Sequence, residues 1–363
     1  MRQLSEVYHK RKLPPKYDGI ICTFDLDKTY LATKFEKLSG LVKIPFEKPE
    51  EKQNIPGAAA VVRELRRGVK KDSPPTPIFF ISASPQMLEK VIRQKLELDG
   101  VSIDGILFRD FRSAIKKLQF KKLIDKIGYK LAALLYARTT FPPKARELLF
   151  GDDSEYDALI YSLYSDIVAG RLDDYEVLTI LKKWQVAEDE RNMIRDILHM
   201  LEESPFRKRE VVERIFIHLE MKTPPAMHTQ LSRLVVPTQN YYQTAVLLYS
   251  GGYITRAGLF RVISELIRTY KFTVPVFTAS TEDLLKRNLI DPDEAKRLLK
   301  IIAKNNPLFL PRRILTELWS EFQRIFTTIS PIPDSFSHPM RRKEDKHMSL
   351  VERYLRVVPQ RNV

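Results

Sequence analysis

The sequence has little of what defines several classes of protein. It contains one cysteine, Cys22, which excludes a disulfide scaffold and a cysteine-rich zinc site. No uncharged apolar run reaches the roughly 20 residues that a bilayer-spanning helix needs, and the best candidate, 242–254, is interrupted by Gly251 and Gly252. The six histidines show no metal-ligand spacing, and no G-x-x-x-x-G-K loop is present. Because no signal peptide is visible either, we expect a cytoplasmic protein.

Positive charge, by contrast, is abundant. The 363 residues include 61 Lys and Arg against 46 Asp and Glu, which gives a net charge of +15. Such a balance favours polyanionic partners, namely nucleic acid, anionic lipid or phosphorylated small molecules. It does not choose among them, and a solvated basic surface without a specific partner is equally compatible. The hydrophobic content of 44% is enough to fill a large core.

The apolar pattern predicts an α/β fold with a parallel sheet and helices on both faces. Strands are expected over 20–24, 77–81, 106–108, 147–150 and 214–219. Helices are expected over 57–69, 85–98, 111–127, 130–138, 154–168, 172–184 and 187–203. From residue 239 onward the pattern is almost entirely helical, with helices expected over 239–250, 257–270, 281–289, 292–304 and 311–325. The chain is thereby divided into an α/β domain over 1–225 with a helical insert at about 171–208, a helical region over 226–340 and a loosely ordered charged tail over 341–363.

Two aspartates follow the first predicted strand. Asp25 and Asp27 are spaced i, i+2, so their side chains are expected on the same side of the sheet. The carboxyl edge of a parallel sheet is where α/β folds bind their ligands. A pair of carboxylates there can hold Mg²⁺, a hard cation that takes oxygen ligands. Taken alone the pair is only suggestive, because an Asp-rich turn is the simpler explanation.

Three more elements follow in the order that a phosphoryl-transfer site requires. Ser82 comes just after a strand and can bond a phosphoryl oxygen, and Lys130, placed at the opening of a helix, can neutralise phosphoryl charge. After the strand 147–150 come further carboxylates, at Asp152, Asp153 and Asp157. Each element has a plain alternative as a helix cap or a solvated lysine. Their joint occurrence at successive strand ends makes coincidence a poor explanation.

These motifs resemble those of the haloacid-dehalogenase (HAD) superfamily of phosphatases. Its four motifs are matched in order by residues 25–29, by Ser82, by Lys130 and by residues 151–157. The chain is also similar to the actin-patch-type phosphatidate phosphatase family, a relative of the lipins. This similarity lies in segments 80–85, 107–110, 129–131 and 214–225. The resemblance covers about residues 18–170 well and 210–225 loosely. It implies a HAD-like Rossmannoid fold and a Mg²⁺-dependent phosphatase.

The resemblance also implies roles for individual residues. Asp25 would be the nucleophile that forms an aspartyl-phosphate, and Asp27 would act as general acid and then general base. Because the HAD dehalogenases replace the second aspartate, Asp27 favours a phosphate ester. The Mg²⁺ would be held by Asp25, the backbone carbonyl of Asp27 and Asp152. Asp153 or Asp157 would surround these ligands without binding the ion directly.

The remaining implied site residues contact the phosphoryl group or the substrate. Thr29, Ser82 and Lys130 would fix the phosphoryl oxygens. Ser84 and Arg109 belong to the same motifs and are expected to bind substrate, together with Ser82 and Lys130.

Several functions stay open at this point. The expected substrate is phosphatidate, an anionic lipid at a membrane surface, with a phosphatase of nucleic acid, protein or soluble phosphoesters as the alternative. A non-catalytic phospholipid- or partner-binding module is the other alternative. About fifty residues separate Thr29 from Ser82, too few for a large cap, so an open site and a large substrate are expected. The lysines of 116–126 would form a basic helix face, for which plain solvation is the simpler reading. The oligomeric state is not predicted.

Overall fold

A single parallel sheet forms the centre of the molecule. The computed structural model describes residues 13–32, 48–70, 73–109, 125–202, 209–230, 232–305 and 349–357. Six strands pair in the order β3-β2-β1-β4-β5-β6, and every pairing is parallel. They are β1 (Ile20–Asp25), β2 (Ile78–Pro85), β3 (Gly105–Arg109), β4 (Arg146–Asp152), β5 (Val212–His218) and β6 (Val235–Thr238). The predicted α/β fold with a parallel sheet is confirmed.

The strands are continuous apolar runs because both faces of the sheet are covered. One result is a row of aromatic rings across four neighbouring strands. The ring centroids of Phe24 lie 4.0 Å from Phe150 and 5.5 Å from Phe80, and those of Phe150 and Phe216 lie 5.1 Å apart. The strand register sets these residues side by side. The row holds the central strands together directly beneath the end of β1.

Helices cover the two faces of the sheet and form two hydrophobic cores. One core contains α1 (Ala58–Arg67), α2 (Glu89–Leu98), α8 (Tyr241–Ser250), α9 (Arg256–Arg268), α10 (Val274–Lys286) and α11 (Pro292–Asn305). The other contains α3 (Asp125–Thr140), α4 (Asp157–Val168), α5 (Asp174–Lys183), α6 (Glu188–Glu202) and α12 (Leu350–Arg356). A short helix, α7 (Pro225–His228), follows β5. Helices α5 and α6, which lie in the region of the predicted insert, therefore pack on the opposite face from α8 to α11.

Three predicted helix starts in the first half of the chain are wrong. Pro85 ends β2 instead of opening a helix, and a 3-10 turn over Gln86–Leu88 precedes α2. Lys130 lies inside α3 and does not open a helix; the part of that region over 110–124 lies outside the described residues. Helix α4 begins at Asp157, not at residue 154, because the preceding Tyr156 has a left-handed backbone with φ of 64°.

The carboxy-terminal half also departs from the sequence pattern. Strand β6 was not predicted, and it extends the sheet beyond residue 225. Helix α10 begins at Val274, well before the predicted residue 281. The expected tail contains α12, in which Tyr354 is fully buried and accepts a hydrogen bond from the Trp184 indole at its backbone oxygen (3.1 Å). A helix expected over 311–325 lies outside the described residues.

None of the described helices combines the length and the apolar character that a membrane span requires.

Candidate active site

A tight turn follows β1 at the carboxyl edge of the sheet. Asp25 is the last residue of β1 and is 1% exposed, and Asp27 is 7% exposed. The Leu26 carbonyl accepts hydrogen bonds from the amides of Tyr30 (3.0 Å) and Leu31 (2.9 Å). The turn therefore folds back on β1 at once, which keeps both aspartates beside the strand end.

Three carboxylates from different elements converge at this edge. Oxygens of Asp25, Asp152 and Asp157 all lie within 4.8 Å of one another, and all three residues are buried. Asp152 ends β4, the neighbour of β1, and Asp157 begins α4. Gly151 makes the approach possible, because a Cβ at this position would come within 2.4 Å of the Asp157 carboxylate. We name these three residues the acidic cluster.

A buried lysine lies against the acidic cluster. The Lys130 Nζ is 3.0 Å from Asp25 Oδ1, 2.6 Å from Asp157 Oδ1 and 3.2 Å from Glu155 Oε2. Glu155 also pairs with Lys126 and is 5% exposed. Sequence reasoning did not assign Glu155 to the site, although its place in the 151–157 turn was the available signal.

Burial dominates the electrostatics of these groups. It raises the pKa of Asp25 well above its usual value, against the opposing charge of Lys130. It raises the pKa of Asp152 to about 7, with the charge of Asp157 adding to the shift. For Lys130 burial acts in the opposite sense, but the carboxylates of Asp157, Asp25 and Glu155 outweigh it and raise the pKa of the lysine, which stays cationic. One buried lysine therefore stands against several carboxylates that repel one another.

The acidic cluster fits a hard divalent cation. The Oδ2 atom of Asp25 is buried and has no hydrogen-bond partner among the described residues. All donors are carboxylate oxygens, which is the ligand type that Mg²⁺ prefers. A cation would also relieve the repulsion among the carboxylates. Of the residues predicted to hold the metal, the acidic cluster includes Asp25, Asp152 and Asp157.

Two other predicted metal residues lie outside the acidic cluster. Asp153 faces the segment after β5, where its carboxylate accepts hydrogen bonds from the Met221 amide (2.8 Å) and from the Thr223 amide (3.2 Å) and hydroxyl (2.6 Å). The Asp27 carboxylate is engaged by serines. Asp153 therefore anchors a loop next to the cluster.

Both predicted serines lie beside Asp27. The Ser84 hydroxyl donates to Asp27 Oδ2 at 2.8 Å, and the Ser82 hydroxyl lies 3.5 Å from the same oxygen. The Ser84 amide donates to Ser82 Oγ at 3.1 Å, within a stretch where the register of β2 against β3 shifts. This local irregularity brings both hydroxyls to one aspartate. Arg109 is the last residue of β3, and only its backbone belongs to the described part of the structure.

Thr29 connects the first turn to β4 and to the carboxy-terminal half. Its hydroxyl donates to Asp152 Oδ2 at 3.3 Å, and its carbonyl accepts a hydrogen bond from the Tyr241 hydroxyl at 2.6 Å. Tyr241 lies on α8, is fully buried, and packs its ring 5.5 Å from that of His218. No motif marks Tyr241, and it lies far from Thr29 in sequence, so sequence reasoning missed it.

Comparison with known proteins gives one match to a family model. Residues 19–174 match the family model described as phosphatidate phosphatase APP1, catalytic domain. Neither the curated proteins nor the solved structures gave a significant match. The matched segment contains β1 to β4 and the acidic cluster, whereas Tyr241 lies outside it. The resemblance inferred from the motifs is therefore confirmed over this segment: residues 19–174 are similar to the catalytic domain of the APP1-type phosphatidate phosphatases.

Proposed function

We propose that this protein is a HAD-type, Mg²⁺-dependent phosphatase that hydrolyses a phosphate monoester through an aspartyl-phosphate on Asp25. The observation that carries the proposal is the convergence of Asp25, Asp27, Ser82, Lys130 and Asp152 at one edge of the sheet. They come from β1, β2, α3 and β4, and the match over residues 19–174 includes all of them.

In the first step Asp25 attacks phosphorus and the ester P–O bond breaks. Of the two carboxylate oxygens of Asp25, one would hold the cation and the other would attack phosphorus. Asp27, in its protonated form, gives its proton to the leaving alkoxide, which departs as an alcohol. The Ser84 hydroxyl, which donates to Asp27 Oδ2 at 2.8 Å, fixes the orientation of this carboxyl group.

In the second step water hydrolyses the acyl phosphate. The Asp27 carboxylate takes a proton from the water, whose oxygen attacks phosphorus while the bond to Asp25 breaks. Inorganic phosphate leaves, and both aspartates return to their starting forms. Asp27 thus serves first as acid and then as base, as a residue close to both the ester oxygen and the water can do.

The phosphoryl charge has to be stabilised in both steps. Lys130 lies 3.0 Å from Asp25, so its ammonium is placed to face a phosphoryl group carried on that residue. The Ser82 hydroxyl and amide are candidates for the remaining phosphoryl oxygens. A Mg²⁺ held by Asp25, Asp152 and Asp157 would neutralise further charge on the transferring group.

We propose phosphatidate as the substrate, cleaved to diacylglycerol, and a peripheral location at a membrane. The name of the matched family supports this choice. The net charge of +15 supports an anionic surface as the partner. A phosphatase of soluble or nucleic-acid phosphoesters is the second candidate, favoured by the same charge. A binding module without catalysis has no use for Asp27 with its two serines, and we rank it last.

The test is release of inorganic phosphate by the whole chain from three substrates: phosphatidate in vesicles, a soluble aryl phosphate and a 5′-phosphorylated oligonucleotide. We expect turnover of phosphatidate in Mg²⁺, no turnover after chelation, and recovery when Mg²⁺ is added back. Asp25→Asn is the control and should be inactive in every condition. Full turnover in chelator, or in Asp25→Asn, would remove the proposed chemistry, and faster turnover of the oligonucleotide would favour the second candidate.

A further inference from the structure

The segment between β5 and β6, residues 219–230, carries an exposed apolar surface at the edge of the active site. We propose that this segment docks the active site on a bilayer that displays anionic phosphate headgroups. The proposal rests on the proposed function, because it concerns how a lipid substrate would reach the same site. We call residues 219–230 the docking segment.

Two methionines of the docking segment are exposed to solvent. Met221 and Met227 are each 60% exposed. Other exposed large apolar side chains of the described residues are spread singly over separate elements, at Val69, Leu98, Tyr175 and Val276. Single exposed apolar residues are normal on a protein surface, whereas interaction sites gather several of them, and among the described residues the docking segment carries two. Methionine is flexible and polarizable, which suits an irregular interface such as a lipid surface.

The docking segment is held firmly against the active site. Asp153 follows Asp152 directly and binds the Met221 amide together with the Thr223 amide and hydroxyl. The Thr223 hydroxyl oxygen in turn lies 2.6 Å from His228 Nε2. Since that hydroxyl donates its proton to Asp153, Nε2 of His228 is the donor in this contact. The two methionines are thereby placed beside the same sheet edge as the acidic cluster.

Cations accompany the two methionines. Lys222 is exposed, and Lys28 in the turn after β1 is half-buried. A hydrogen bond with His218 lowers the pKa of Glu220, and the charges of Lys28 and Lys222 lower it further, so both lysines lie near the docking segment. The carboxylates nearby are both engaged within the protein, Glu220 with His218 and Asp153 with the docking segment, so the two ammonium groups are available to anionic headgroups. The lysines are complementary to such headgroups, while the methionines can enter the layer below them. Nucleic acid offers no apolar layer, so these observations favour a bilayer.

The first experiment measures vesicle binding by flotation in chelator, so that no turnover is needed. The vesicles are phosphatidylcholine with and without phosphatidate, and the variant is Met221→Gln with Met227→Gln, which leaves the net charge unchanged. We expect the double variant to bind phosphatidate vesicles about tenfold more weakly or worse, from the apolar area withdrawn from water by two methionines. Binding of the wild type should also fall as salt rises.

Leu98→Gln is the matched control. Leu98 is 59% exposed and lies at the end of α2, which runs from the carboxyl end of β2 back toward the start of β3. It is therefore at the opposite edge of the sheet. This variant should bind vesicles as the wild type does. Equal binding by the double variant and the wild type, or an equal loss in Leu98→Gln, would overturn the proposal.

Turnover separates this proposal from the proposed function. The double variant should hydrolyse a soluble aryl phosphate at the wild-type rate and lose activity on phosphatidate vesicles only. A wild type that hydrolyses neither ester would defeat the proposed function, while the flotation result would still decide the role of the docking segment. A double variant that keeps full activity on vesicles would overturn the docking role and leave the phosphatase intact.

A second measurement uses the unmodified chain. Oxidation of Met221 and Met227 by peroxide, mapped by peptide mass spectrometry, should slow when phosphatidate vesicles are added. Met200 on α6, which is half-buried, serves as the internal reference and should oxidise at the same rate throughout. Unchanged oxidation of Met221 and Met227 on saturating vesicles would overturn the proposal, as would protection by an oligonucleotide and not by vesicles.

Discussion

Lys130 balances the charge of the acidic cluster, and its removal is the most informative change to stability. It is 1% exposed, and its Nζ lies within 3.2 Å of three carboxylates, those of Asp25, Glu155 and Asp157. Lys130→Met keeps most of the side-chain volume and deletes the charge. Removing one partner from a buried ion pair typically costs about 3–5 kcal/mol. We expect a loss of that size in chelator at about pH 8.

The loss should depend on pH in a defined direction. Burial raises the pKa of Asp25 above its usual value even with Lys130 present, and without the lysine the opposing charge is gone. The folded variant therefore holds protons that the unfolded chain has released. The stabilisation that these bound protons give the folded variant is fully present below about pH 4, the pKa of the carboxyl groups in the unfolded chain. It is lost as pH rises through the raised pKa values of the same groups in the folded state. Lys130→Met should recover much of its loss when pH is lowered from about 8 to about 5.

Urea unfolding followed by circular dichroism measures both effects. Arg138→Met is the control, because Arg138 is also fully buried and pairs with Glu147 at 2.7 Å, outside the acidic cluster. Mg²⁺ should stabilise Lys130→Met strongly, since it replaces the lost charge, and should not restore Arg138→Met. Wild-type stability of Lys130→Met in chelator at about pH 8, or a loss that does not shrink at lower pH, would refute this reasoning.

Three further changes are expected to act at single places. Tyr241→Phe removes the hydroxyl that donates to the Thr29 carbonyl, so the free energy of unfolding should fall by about 1–3 kcal/mol. The kcat should also drop with little change in KM, and steady-state rates equal to those of the wild type would contradict this. In chelator, the thermal stability of the wild type should fall as pH rises through about 7, because burial raises the pKa of Asp152 to about 7 in the folded state. Asp152→Asn should make the thermal stability less dependent on pH over this range. Glu147→Gln breaks the buried pair with Arg138 and should cost about 3–5 kcal/mol in urea unfolding while kcat is retained; a cost below about 1 kcal/mol would count against it.

The buried strands were predictable because their sequence pattern is strong. β1 and β4 are continuous apolar runs, as strands covered on both faces must be. β6 was missed because it is short and contains Pro237, which is tolerated at the edge of a sheet and weakens a strand pattern. Its place in the sheet depends on pairing with β5, which the local sequence does not encode.

The site was predictable where its residues lie at or near strand ends. Asp25 and Asp152 are the last residues of β1 and β4. Ser82 was expected just after a strand that ends at residue 81, but β2 continues to Pro85 and Ser82 lies inside it.

The helix around Lys130 was misjudged because Gly128 resembled a break. Gly128 is instead required by the close approach of α6 and of the residue Val186 before it, since a Cβ there would come within 2.6 Å of the Val186 side chain and 2.9 Å of Glu190 Cβ.

Contacts that depend on the tertiary fold gave no local signal. Tyr241 reaches Thr29 from α8 only because α8 packs on one face of the sheet against α1 and β6, and nothing in the sequence around Tyr241 marks this role. The same holds for the bonds between Asp153 and Thr223, which tie the segment after β5 to the end of β4.

The central claim is that Asp25 carries the phosphoryl group, and trapping that intermediate tests it most directly. Asp27→Asn should lower turnover of an alkyl phosphate by roughly 10²–10⁴-fold, the usual worth of general acid–base catalysis. With an aryl phosphate, whose leaving group needs little protonation, this variant should accumulate phosphoenzyme because the water loses its base. Intact-protein mass spectrometry after rapid acid quench should then show one added phosphoryl group, located on Asp25 and absent in Asp25→Asn. Aryl phosphate turnover by Asp27→Asn without that added mass, or an equal added mass in Asp25→Asn, would contradict the account.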